Sequence, residues 1–287
     1  MFPRVDTKNA SAVSAWVQQK FASIYGANPS EWIGRLFSDV EYLFAGRNAD
    51  FGAIDLRYHD LEHTLQATVC LTDLLQGCQQ SSDGPKITER QFELGIAAVL
   101  LHDAGYLKLR SDLNGTGAKY TFCHVLRSCA FAASYLPNLG ANEAEVSTVV
   151  RAINCTGPTK EIRRLHFRDA TDRFLGSALA SADYLGQMSA PEYPDQLATL
   201  FAEFAESDDF IHLPVSERLF SSADDLIART PAFWRKVVLP KLENDFQGAY
   251  HYLAFSGANG CNDYLDAVTR NIEVIEQRVE RLTTSGR

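Results

Sequence analysis

The chain has 287 residues, 46% hydrophobic and 22% charged, enough apolar side chain for one large core or two small ones. Its formal net charge of −9 excludes broad nucleic-acid binding, which needs a basic face. A small anionic substrate stays open, because a metal ion can supply positive charge locally.

In chain order, apolar residues recur every three to four positions at 12–25 and 31–44, which predicts a helical lead-in over 1–50. The same period runs through 63–76, 88–101, 122–135, 144–153 and 171–188, the core of a unit spanning 51–190. It returns at 191–206, 215–228, 231–255 and 262–282, a helical extension over 191–287 packed on that core. Strand-like alternation is nearly absent, so the fold class is all-α. Gly105, Gly140 and Gly157 are the expected helix stops. Pro231 suits a first helical turn behind Thr230 as N-cap. Phe246-Gln247-Gly248 reads as ordinary helix. The segment 80–86 is a polar connector. The Gly-containing segment 107–120 reads as a flexible connector, with a lid as the lesser reading because it leaves from His102-Asp103. Its Asn114-Gly115-Thr116-Gly117-Ala118-Lys119 stretch lacks the spacing of a phosphate-binding P-loop.

The six cysteines, at 70, 78, 123, 129, 155 and 261, form no CxxC pair and read as buried free thiols. The first residues lack the apolar run of a signal peptide, and no stretch approaches a membrane span. A cytoplasmic protein with no membrane partner is expected.

Chemistry concentrates in four places. Four of the seven histidines fall between 59 and 124. Tyr58-His59-Asp60-Leu61-Glu62-His63 sets two histidines four apart, on one face if the segment is helical. His102-Asp103 ends the apolar run 96–101, where burying both groups costs free energy unless a partner such as a divalent cation compensates. His124 stands on the next helix. Asp183 lies inside a helix with small or apolar flanks. Each piece has a plainer reading: a chance pair, a hydrogen-bonded His-Asp, a core histidine, a solvated aspartate. His166, His212 and His251 have no companion motif and read as structural or surface residues.

The ordered set His63, His102-Asp103, Asp183 resembles the H…HD…D pattern of the HD superfamily of metal-dependent phosphohydrolases. The resemblance covers about 55–190. It implies an HD-domain helical bundle in which these four residues hold a divalent ion, and hydrolysis of a phosphoester, commonly of a nucleotide. Tyr58–His63 is similar to the YHNxxH signature of cyclic-nucleotide phosphodiesterases, with Asp60 in place of Asn. Carried over, His59 is the proton donor and His63 a metal ligand; a role for His59 as hydrogen-bond partner to a ligand carboxylate stays open. HDAGY followed by His124 resembles binuclear HD hydrolases, where later histidines hold a second metal. The next such position falls near 151–156, which carries no histidine, and Tyr106 stands where that group has lysine.

The expectation is therefore a hydrolase acting on a phosphomonoester or phosphodiester, with a nucleotide as the favoured substrate class. One or two divalent ions (Mn, Fe, Zn, Ni or Mg) are expected, with Asp103 the ligand best placed to bridge two. Asp103 also counts as catalytic, since Asp103 or Asp183 could orient the attacking water. His124 and Asn154 are candidates for a second metal or for phosphate. Lys108, Lys119 and Arg163 are weaker candidates for substrate phosphate, since such charges usually solvate a surface. A non-catalytic nucleotide-sensing module and a di-iron oxygenase are the alternatives. A homo-oligomer is left open.

Overall fold

The computed structural model describes residues 2–157, 160–257 and 260–285. Helix starts follow capping chemistry. Asn9 accepts from the Ala12 N–H and opens α1 (Ala10–Tyr25), which Gly26 closes in the left-handed conformation. Ser30 opens α2 (Glu31–Phe44), which buries Ile33, Leu36, Phe37, Val40, Leu43 and Phe44 on one stripe. Asp60 caps α3 (Leu61–Gln80) by accepting from the His63 N–H at 3.1 Å. Capping boxes open α4 (Glu89–Leu101) at Thr88/Gln91 and α6 (Glu143–Asn154) at Asn142/Glu145, with α5 (His124–Tyr135) between them. Asp169 caps α7 (Ala170–Met188). The chain continues as α8 (Tyr193–Phe210), α9 (Ala223–Phe233), α10 (Leu253–Ser256) and α11 (Asp263–Ser285).

Among the described residues there is no strand, only an isolated antiparallel bridge between Phe51 and Leu109. The all-α expectation holds. The central pair is α3 and α7, both buried around most of their circumference. They approach closely because Gly186 of α7 faces the backbone of Ala67 on α3, where a Cβ would collide. On this pair pack α4 and α6; α1 and α2 cover α3 and α4, while α11 covers α7 and joins α8 and α9. The main apolar cluster takes Val13 and Phe37 from the lead-in, Leu71 and Leu179 from the middle, and Leu197, Trp234 and Ile275 from the last third. No described helix is long and apolar enough to cross a membrane.

Several expected boundaries move. Pro231 lies inside α9, whose N-cap is Ser222, not Thr230. The expected helix 231–255 is broken. Wide π turns run through Trp234–Val238 and Lys241–Asp245, and the chain then turns at Gln247 and Gly248, both left-handed. Pro231 and Pro240 supply no N–H to a regular ladder, which accounts for the widening. Most of the expected helix at 215–228 is absent before Ala223. Of the expected stops, Gly140 ends the short turn Leu136–Leu139 in the left-handed region, but α4 ends at Leu101 and α6 at Asn154, ahead of Gly105 and Gly157. All six cysteines are free; four are buried, Cys123 is half-buried and Cys261 exposed.

Candidate metal centre

Four side chains converge where α3, α4 and α7 meet. His63 sits in the first turn of α3, fixed by the Asp60 cap. His102 caps the C-terminus of α4, and Asp103 follows as the chain bends into a tight turn, Ala104–Tyr106. That bend is secured from α5: the Arg127 guanidinium donates to the Gly105 and Leu107 carbonyls at 2.6 and 2.7 Å, and Ser128 Oγ accepts from the Gly105 N–H at 2.8 Å. Gly105 is required because a Cβ there would collide with the His124 carbonyl. Asp183 comes from the middle of α7.

Asp103 Oδ2 lies 3.2 Å from His63 Nε2 and 3.4 Å from His102 Nε2. Asp183 Oδ1 lies 3.3 and 3.5 Å from the same two nitrogens. Donor atoms about 2.1 Å from one shared ion stand roughly 3.0–3.4 Å apart in octahedral or tetrahedral geometry. His63, His102 and Asp103 form the tight group, their ligand atoms all within 4.8 Å of one another; Asp183 joins it through the imidazoles. His102 Nε2 and Asp103 Oδ2 are fully buried and lack a hydrogen-bond partner among the described residues, although they stand 3.4 Å apart. They are arranged around a point rather than aimed at each other. Leaving such groups buried and unmatched is costly, and a cation between them removes the cost.

The tautomers fit that reading. His102 Nδ1 contacts the Val99 carbonyl at 2.7 Å, and a carbonyl only accepts, so the proton sits on Nδ1 and the Nε2 lone pair faces the cluster. His124 Nδ1 is held the same way by the Thr121 carbonyl at 2.7 Å, and its Nε2 reaches Asp103 Oδ1 at 3.7 Å. Burial by itself lowers the His63 pKa, but the Asp103 and Asp183 carboxylates override it and push it up to about 10. His102 is raised by the same balance. For Asp103 and Asp183 burial works upward, and the imidazoles overcome it and hold both well below the usual carboxylate range. His124, where burial dominates, is lowered. Only His63 and His102 gain proton affinity, and a divalent ion held by them would have to displace those protons.

His59 lies one residue ahead of the Asp60 cap, so the expected shared helix face with His63 is not formed. Its Nδ1 instead contacts Glu203 Oε2 on α8 at 2.6 Å. The other Glu203 oxygen accepts from the Arg57 and Tyr58 N–H groups at 3.0 and 2.8 Å. His59, Tyr106 and His124 form a triangle of rings, with centroids 4.8 Å apart for His59–Tyr106, 4.5 Å for Tyr106–His124 and 6.4 Å for His59–His124. The side with access to solvent is bordered by His59, His124 and Asp183, each about 15% exposed.

The remaining candidates lie elsewhere. Asn154 closes α6, and none of the described hydrogen bonds joins its side chain to the four ligands. Lys108 pairs with Asp55 at 3.0 Å and with the Gly115 carbonyl. Lys119 is buried on Asp112 at 2.5 Å, and Arg163 is exposed and paired with Glu161 at 2.7 Å. Each of these three charges is paired with a neighbouring carboxylate. The segment 107–120 is not a loose connector: Gly117 N–H donates to Asp55 at 2.7 Å and Thr116 Oγ1 to Glu206 at 2.7 Å.

Sequence reasoning missed Glu203, Gln187 and the use of Tyr106. Glu203 stands between Ala202 and Phe204 on an otherwise apolar stretch, the only signal that it faces inward. No protein-family model matches the chain, and no curated protein does.

Proposed function

We propose that the chain is a metal-dependent phosphohydrolase of the HD type, acting on a small phosphoester, with a nucleotide as the favoured class. One observation carries the reading: two imidazole nitrogens and two carboxylate oxygens stand 3.2–3.5 Å apart across a buried point, with His102 Nε2 and Asp103 Oδ2 unpartnered. His63, His102, Asp103 and Asp183 are the residues that would hold the ion. A divalent ion held there supplies Lewis acidity toward a phosphoryl oxygen and lowers the pKa of a water molecule.

The protein's own groups divide the remaining work. Asp103 turns Oδ2 to the imidazole pair and Oδ1 to His124, so it can ligate with one oxygen and orient a nucleophilic water with the other. His59, its Nδ1 fixed by Glu203, offers Nε2 to donate a proton to the leaving oxygen. His124 keeps its proton on Nδ1 against the Thr121 carbonyl, so its Nε2 is an acceptor. That favours a second cation or a water proton as its partner over an anionic phosphoryl oxygen.

The test is metal analysis of the purified protein followed by a phosphoester screen with that metal, comparing wild type with His102→Ala and Asp103→Ala. Phosphate or nucleoside monophosphate release that disappears in both variants is expected. Turnover equal in all three proteins removes the site. Oxygen consumption with bound iron would support a di-iron oxygenase instead, and ligand binding without turnover across the panel a sensing module.

A further inference from the structure

We infer that Gln187, held by Tyr58, is a positioning residue that sets the orientation of Asp183. This rests on the metal-centre reading above and adds residues outside the quartet. Asp183 is the least enclosed of the four proposed ligands and meets the others only through the imidazoles, so its carboxylate needs a second constraint. Gln187 stands one turn further along α7, on the same face. Its Nε2 donates to the Asp183 carbonyl at 2.9 Å and lies 3.4 Å from Asp183 Oδ1, the oxygen that faces both imidazoles. Both Asp183 atoms can only accept, so the amide nitrogen must be on that side and Oε1 must point away. Oε1 then accepts from the buried Tyr58 hydroxyl at 2.6 Å.

Tyr58 is itself fixed at both ends. Its N–H donates to Glu203, the residue that also holds His59, and its hydroxyl donates to Gln187. The chain Glu203, Tyr58, Gln187, Asp183 thus ties the proposed proton donor to the proposed metal ligand. Without the hydroxyl, Gln187 Oε1 loses its partner and the amide can turn over, presenting oxygen to the Asp183 carboxylate. The functional consequence is tighter metal binding with Oδ1 in the ligand position.

The test uses Co(II) alone as the probe, on full-length chelator-treated protein, reading affinity by calorimetry and coordination by visible absorption. The variants are Gln187→Met, Tyr58→Phe, their double variant and His102→Ala. Gln187→Met and Tyr58→Phe should each weaken Co(II) binding by about 10–100-fold, the usual effect of an outer-shell partner. Both should change the visible spectrum in the same way, and the double variant should be no weaker than Gln187→Met, because the two act in series. A lost packing contact alone would move the melting temperature and leave the Co(II) spectrum unchanged. Wild-type affinity and spectrum in Tyr58→Phe and Gln187→Met, with binding abolished in His102→Ala, overturns the positioning role and leaves the metal centre standing. Equal binding in His102→Ala and wild type overturns the metal centre and this inference with it. If Gln187→Met does not fold, Tyr58→Phe, which loses a single oxygen, decides by the same criteria.

Discussion

At the scale of single residues, the site is a contest between burial and charge pairing. His63 illustrates the sign. Its pKa is about 10 in the fold against about 6.5 in an unfolded chain, so in the metal-free protein its contribution to stability is full below pH 6.5 and is lost as pH rises toward 10. Melting temperatures of chelator-treated protein should therefore fall across that window, and His63→Gln should flatten the fall; an unchanged slope would refute the pairing. A divalent ion needs the same nitrogen deprotonated, so its affinity should rise over the range in which metal-free stability declines. His59 makes a different prediction. A proton donor matters most when the leaving oxygen is a poor leaving group. His59→Asn should lower kcat by about 10²–10⁴ on an alkyl or ribose phosphoester and far less on a p-nitrophenyl ester. Equal losses on both substrates would remove His59 from the chemistry and leave it as a partner of Glu203.

At the scale of elements, the ligands depend on how closely helices approach. The α3/α7 crossing brings His63 and Asp183 together, and the crossing is close because position 186 carries no Cβ. A methyl there would sit 2.8 Å from the Ala67 nitrogen, backbone that cannot rotate away. Gly186→Ala should destabilise by about 1–3 kcal/mol, the usual cost of overpacking, measured by urea unfolding. It should also weaken metal binding, since α3 and α7 carry one ligand pair between them. The Asp60 cap explains a departure visible in the sequence. Aspartate replaces asparagine in the similar signature and still accepts from the His63 N–H, so the start of α3 is preserved.

At the scale of the whole molecule, the two ends of the chain are fastened to the same central helix. Arg4 donates to Asp263 at 2.7 Å and to the Ser256 carbonyl at 2.6 Å, and lies 3.6 Å from the fully buried Asp73 of α3. Tyr264 of α11 donates to Asp73 at 2.9 Å. Removing the cation leaves the buried carboxylate with the Tyr264 hydroxyl and the lesser help of Trp16 and Lys20. Arg4→Ala should cost on the order of 3 kcal/mol, and Arg4→Ala/Asp73→Asn should recover part of it. No recovery would mean that Arg4 acts through its other contacts. Asn271 of α11 donates to the Met188 and Ala190 carbonyls at 2.9 and 2.7 Å, which holds the C-terminal helix where α7 ends.

Much of this was legible from the sequence because it is local. The 3.6-residue period is a property of short windows, and it identified nine of the helices in outline, while the four residues that meet were singled out by their order along the chain and its resemblance to an H…HD…D pattern. The misplaced boundaries share a cause: Pro231, Gly105 and Gly157 punctuate a helix only as their neighbours in space allow. Tertiary contacts let α9 run through its proline, and Arg127 and Ser128 set the turn at 105. Lys119 and Lys108 looked available because their carboxylate partners, Asp112 and Asp55, could not be assigned to them from spacing.

The sequence by itself determined an all-α chain, because helical periodicity is written in order along it, and it pointed to His63, His102, Asp103 and Asp183 through the resemblance of their order to an H…HD…D pattern. Only the tertiary structure decided that Glu203 holds His59 and that Tyr58 turns the Gln187 amide nitrogen toward Asp183. Those facts depend on which helices cross and how closely, and partners 129 and 144 residues apart leave no mark in any local pattern.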